Sequence, residues 1–375
     1  MKIAKKSAML NLALLGILGG WLLFCSQDAG EINRVTFDFE MVEQGIAWLE
    51  LIRSGTPEEA VKDFFMKNVA PTGGCRAIIH HWARFRKWDE EELYKFIMAA
   101  LDRIPTGEKL QNEDGSPTMF ARRRYLWMNA LQNPERLKRD LEDLKKMNLR
   151  GSIRVARKFL PEKTPLEASF FFVLFGHSTA FSVGKENGFD FLQLPRGEGG
   201  RLLTGQIILT LAHELHHTGF DFLKEKTIDE KTMERYMLIG LLAGEGMPTY
   251  FIDRPFAYLE YLRSHKDPFF RKLAEEWGSH SARLPVLYVE AEKDIRLCLE
   301  GKVTSQEIMA RWMQGIKGPA YVLGSDMIRV IDKYLGREKA IDVARDCRRL
   351  IELYNEAATV ANGKGEKLYV FNRSF

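Results

Sequence analysis

The chain has 375 residues, 45% hydrophobic and 28% charged, with 55 basic and 51 acidic side chains and a formal net charge of +4. These are ordinary globular values, which exclude a disordered or collagen-like chain. So small a charge excess gives no general electrostatic case for nucleic-acid binding, and no nucleic-acid partner is expected.

Three lysines lie within the first six residues, and residues 8–24 are apolar except for Asn11. A basic start followed by a long apolar run predicts export, with membrane attachment through residues 1–25. Cys25 ends the run, where a lipid-modified cysteine would stand, but Leu22-Leu23-Phe24 lacks the small residue usual before such a site. Lipoprotein, cleaved signal peptide and uncleaved anchor therefore all stay open. Only three cysteines follow, Cys75, Cys298 and Cys347, so at most one bridge joins them.

Residues 31–160 read as an N-terminal helical region. Residues 41–54 are amphipathic, and Thr56-Pro57-Glu58-Glu59 opens a second helix with proline in its first turn. Further helices are predicted over 89–104 and 134–147, after a break at Pro71-Thr72-Gly73-Gly74. The basic triplet Arg122-Arg123-Arg124 reads as a solvated helix face.

The texture changes near Pro165, and residues 165–252 are predicted to form the catalytic core. S-F-F-F-V-L-F at 169–175 and the alternating G-F-D-F-L-Q-L-P at 188–195 read as strands, the only ones expected. Helices are then predicted over about 204–223 and 229–251. Residues 253–375 are again mainly helical and would complete the cleft. The fold class is α+β, predominantly helical.

The chemistry concentrates in L-A-H-E-L-H-H-T-G, residues 211–219. On a helical wheel Ile208, Leu211, Ala212, Leu215, Gly219 and Phe222 form an apolar stripe. His213 and His217, four apart, share the opposite face and can reach one zinc ion. Glu214 points beside them, placed to reach a metal-activated water as general base. His216 faces elsewhere, as a supporting or surface residue. Phe220 and Leu223 stand where a metzincin would have glycine and histidine, which excludes that class.

Glu245, 28 residues after His217, is the expected third ligand. It lies in an apolar stripe with Leu238, Leu241 and Leu242, a costly place for an unpaired carboxylate. Gly244 and Gly246 flank it, each about 0.8–1.0 kcal/mol unfavourable in a helix interior, which suggests close approach of two backbones. A helix end, with Glu245 paired to an arginine, is the competing account. Glu225 and Glu234 are weaker ligand candidates, and Asp221 could orient His217.

H-E-L-H-H followed by G-E-G-M-P-T-Y-F resembles zinc-dependent peptidases of the gluzincin type, and looks most like exported bacterial families with a His-Glu-x-His-His helix and a Glu-Gly helix. The strong match spans about 188–251, with a weaker echo at G-P-A-Y-V-L-G, 318–324. Met247-Pro248 departs from the usual alanine or leucine there. The resemblance implies a zincin-like core, Zn²⁺ as cofactor, and a peptide or protein substrate. It also implies a small sheet packed on the histidine helix, with an edge strand, here 190–194, along the cleft. The Tyr-x-x-Gly echo makes Tyr321 the first candidate for stabilising the oxyanion, ahead of Tyr250 and His177. Two other functions compete: a membrane-attached, non-enzymatic helical binding protein, and a zinc hydrolase of non-peptide substrates.

Overall fold

A computed structural model of the chain describes residues 33–83, 87–112, 117–253, 263, 268–315 and 317–372. The predicted signal or anchor segment, with Cys25, lies outside the described residues. Among the described residues, no helix is long and apolar enough to cross a membrane. The architecture is α+β and predominantly helical, as predicted.

The N-terminal helices begin where local chemistry starts them. Glu40–Arg53 buries Met41, Val42, Ile46, Trp48, Leu49 and Ile52 along one stripe. Glu58–Phe64 follows Pro57. Asp89 caps Glu90–Ala100 by accepting from the Glu92 amide, and Thr118 caps Met119–Gln132 in the same way. Pro134 opens Pro134–Lys146. The basic triplet departs from expectation. Arg123 is buried, with Glu108 bonded to its guanidinium at 2.5 Å and the Phe96 ring 3.5 Å away. An ion partner and an aromatic face replace the solvent.

The sheet has four strands, β1 (Asn33–Asp38), β2 (Leu166–Val173), β3 (Ala180–Val183) and β4 (Glu186–Asp190), in the order β1-β2-β4-β3. β1 pairs parallel with β2, with Phe37 opposite Phe170, so the strands are not confined to the middle of the chain. β2 and β4 are also parallel, while β3 returns antiparallel to β4. Gly188 lies opposite Phe181, where a Cβ would sit 2.1 Å from the ring; only glycine admits that crossing.

The expected edge strand over 190–194 is replaced by a turn. Asp190 ends β4 and accepts hydrogen bonds from the amides of Phe175, Gly176 and Leu192 and from Gln193 Nε2. Those bonds wind Phe191–Gln193 into a 3-10 turn. The edge strand on the cleft side is β3.

β2 and β3 pack on the histidine helix, Thr204–Thr227. The stretch expected as one helix over 229–251 divides into Glu230–Arg235, Met237–Pro248 and a π-helical turn, Thr249–Asp253. The glutamate helix, Met237–Pro248, packs against Pro319–Leu335. One apolar core takes in buried residues from Val35 to Phe371. Cys75, Cys298 and Cys347 are buried free thiols within it.

Candidate metal centre

The histidine helix is wrapped more completely than a two-faced wheel suggests. Ile207, Leu211, Ala212, Leu215 and Phe220 are buried, and so are His213, Glu214 and His216. His216 is a core residue, neither surface nor supporting the site: its ring lies 3.0 Å from the Phe159 carbonyl, and burial lowers its pKa to about 3. His213 and His217 turn the other way, their ring centroids 4.8 Å apart.

Glu245 reaches them from the glutamate helix. Its Oε2 lies 3.7 Å from His213 Nε2 and 3.5 Å from His217 Nε2. Ligand atoms of the three residues all fall within 4.8 Å of one another. The flanking glycines explain the approach. A Cβ on Gly246 would stand 2.4 Å from the carbonyl carbon of Gly324, and one on Gly324 would stand 2.2 Å from the Leu242 oxygen. Gly244 faces the Phe220 ring of the histidine helix. Glu245 thus sits on a helix pressed between two others, rather than at an arginine-paired helix end.

These distances fit a metal better than they fit hydrogen bonds. Oε2 of Glu245 is buried and has no hydrogen-bond partner. Both imidazole nitrogens lie beyond the about 2.7–3.2 Å of a hydrogen bond. Two ligand atoms about 2.0–2.2 Å from a tetrahedral zinc stand roughly 3.3–3.6 Å apart, close to the two separations between Glu245 and the imidazoles. The charge balance agrees. Burial disfavours a charged His213, yet the carboxylates of Asp253, Glu245 and Glu214 outweigh it and push the imidazole up to about 10. His217 is raised against burial by Glu245. Burial favours a neutral Glu245, but the two imidazoles hold its carboxyl well below the usual range. The electrostatics of the cluster favour a cation, proton or metal, among the three side chains.

Three residues absent from the predicted set, Asp253, Lys317 and Ser182, complete the arrangement. Asp253, at the end of the π-helical turn, lies 3.0 Å from His213 Nδ1. That bond keeps a proton on Nδ1 and leaves Nε2 as the nitrogen that can give up its proton to ligate a metal. Lys317 stands 3.6 Å from the other Asp253 oxygen and 4.1 Å from the centre of the Tyr321 ring. Ser182 on β3 lies 2.7 Å from Glu214 Oε2 and 2.5 Å from Asn187 Oδ1. One hydroxyl has one proton, so both contacts are satisfied together when the Asn187 amide turns its nitrogen to Ser182 and Ser182 donates to Glu214.

The remaining candidates separate clearly. Tyr321 lines the cleft with His213 and Glu214. Burial and the charges of Glu245, Glu214 and Asp253 raise its phenol well above the ordinary value. His177 also lines the cleft, packed edge-on to Trp82. Tyr250 points elsewhere and donates to Asp332 at 3.0 Å. Asp221 is paired with Lys224 at 2.8 Å rather than with His217. Glu225 and Glu234 are exposed and do not join His213, His217 and Glu245 in the candidate metal group.

A family model described as "Putative zinc dependent peptidase (DUF5700)" matches residues 67–363, well over half of the chain. The chain belongs to this family, in agreement with the resemblance carried by its H-E-L-H-H and G-E-G motifs. No curated protein and no solved structure matches it.

Proposed function

We propose that this family member is a gluzincin-type zinc peptidase in which His213, His217 and Glu245 hold the ion and Glu214 is the general base. The observation that carries this reading is the buried Glu245 oxygen, without a hydrogen-bond partner and 3.7 and 3.5 Å from two imidazole nitrogens. When bound, zinc supplies a Lewis acid for a peptide carbonyl and lowers the pKa of a water toward about 7.

The chain's own groups do the rest. Glu214, steadied by Ser182, takes a proton from the attacking water and delivers it to the leaving amine. Tyr321, a phenol whose pKa burial and then its carboxylate neighbours raise further above the ordinary value, donates a hydrogen bond to the oxyanion. Asp253 fixes the His213 ring. β3, last in the strand order, offers its outer main-chain groups to an extended peptide. Export, with membrane attachment through residues 1–25, belongs to the same proposal.

The test is elemental analysis of the full chain with a peptide-hydrolysis assay. About one zinc per chain is expected in the parent and in Glu214→Gln, and far less in His217→Ala and Glu245→Ala. Hydrolysis by the parent should be abolished in Glu214→Gln. A folded, metal-replete parent without zinc would sink the reading in favour of a non-enzymatic binding protein.

A further inference from the structure

Beside the main core lies a second, smaller apolar cluster. Ala274, Trp277 and Val322 are its buried centre, with Phe270, Leu273, Leu284 and Tyr321 packed against it. It joins the helix Pro268–Ala282 to the helix that carries Tyr321. Three of its members, Phe270, Leu273 and Trp277, line the same cleft of about 460 Å³ as His213, Glu214 and Tyr321. Leu209, on the histidine helix, and Met119 add further apolar surface to that cleft. Phe270 and Leu273 stay only partly buried, and Met119 is 41% exposed.

We infer that this wall selects the substrate: the cleft takes a peptide whose residue beside the scissile bond carries a bulky apolar side chain, aromatic or leucine-like. The inference rests on the peptidase reading above and names its substrate class. None of Met119, Leu209, Phe270, Leu273 and Trp277 carries an ionisable group, so a charged side chain laid against them would lose its hydration without gaining a partner. An apolar one would remove both surfaces from water. Among the charged groups of the cleft, Asp253 and Lys317 are paired with each other, Asp253 also meets His213, and Glu214 is hydrogen-bonded to Ser182. The cleft volume falls within the about 300–1,000 Å³ of small-molecule sites, enough for one large side chain and its flanking backbone.

Binding of amino-acid hydroxamates to the zinc-loaded full chain, measured by calorimetry, tests this without any assay of turnover. Glycine hydroxamate reports the metal alone; phenylalanine, leucine and aspartate hydroxamates add a side chain. Phenylalanine and leucine hydroxamates should bind about ten- to a hundredfold tighter than glycine hydroxamate, and aspartate hydroxamate no tighter. In Leu273→Asp the phenylalanine-to-glycine ratio should fall close to one with zinc retained, and in Leu273→Ala it should fall partway. Equal affinity for all four ligands in the parent would overturn the inference and leave the peptidase reading standing. A parent that takes up no zinc would overturn both.

Discussion

Gly246→Ala is the sharpest probe of how the glutamate helix delivers its ligand. The new Cβ would lie 2.4, 2.6 and 2.7 Å from the carbonyl carbon, oxygen and Cα of Gly324. All three are backbone atoms, so no rotamer change relieves the contact. Ordinary carbon contacts begin near 3.5 Å, so the two helices must part by about 1 Å. Such overpacking costs about 1–3 kcal/mol, partly offset by alanine's helix propensity of about 1 kcal/mol over glycine. Stability should therefore fall modestly, by about 1 kcal/mol. The larger effect should be on metal. Glu245 is the residue immediately before it, and a ligand set tolerates only about ±0.2 Å around its ideal distances. Zinc affinity, measured by competition with a chromophoric chelator, should drop at least tenfold. Gly244→Ala is the control: its Cβ would meet only the Phe220 ring, at 3.4 Å, a side chain that can give. Parent-like zinc affinity in a folded Gly246→Ala would refute the view that backbone approach sets the carboxylate's position.

Three further outcomes are expected. Asp253→Ala removes the partner of His213 Nδ1 and should cost about 10–100-fold in zinc affinity in the same competition assay. Tyr321→Phe should keep its zinc while kcat on a peptide substrate falls by about 10²–10³, with little change in KM. The pH response should separate the two metal states. With His213 pushed up to about 10, the proton-linked stabilisation of the metal-free protein is full below about pH 6.5 and is lost as pH rises through about 10. Metal-free Tm should therefore fall between pH 7 and 10, whereas zinc-loaded Tm should not. Zinc uptake at pH 8 should also release protons, measurable by calorimetry in buffers of different ionisation enthalpy.

What could be read from the sequence was whatever left a local cost or a local period. The histidine helix has both, an apolar stripe and two imidazoles one turn apart. Glu245 has a cost, a carboxylate among leucines with two helix-weakening glycines beside it. Asp253 has neither: it is a polar residue just past a helix, and only the π-helical turn brings it to His213, 40 residues away. Ser182 sits on a strand of four residues, too short to show a period. The alternation over 190–194 misleads because Asp190 competes for the backbone amides and bends the chain. β1 was missed since its pairing partner stands 133 residues away, beyond any pattern within a window. Arg123 reads as solvated because nothing near it in sequence announces Glu108 or the Phe96 ring.

The pairing of β1 with β2 also sets an order of assembly and a hazard. Asn33 meets Leu166, so β1 can seat only against a formed β2, after the long loop between them has closed. Non-local parallel pairing of this kind is slow, and the interval leaves an aggregation-prone species. Until β1 arrives, the β2 backbone from Leu166 to Phe171 presents an unpaired row in a segment dense with phenylalanine, open to the same edge of a second chain. A six-residue strand that supplies none of the candidate ligands thus acts as the guard of the nascent sheet. Deleting residues 33–38 should yield a protein lost to self-association rather than one lacking only chemistry.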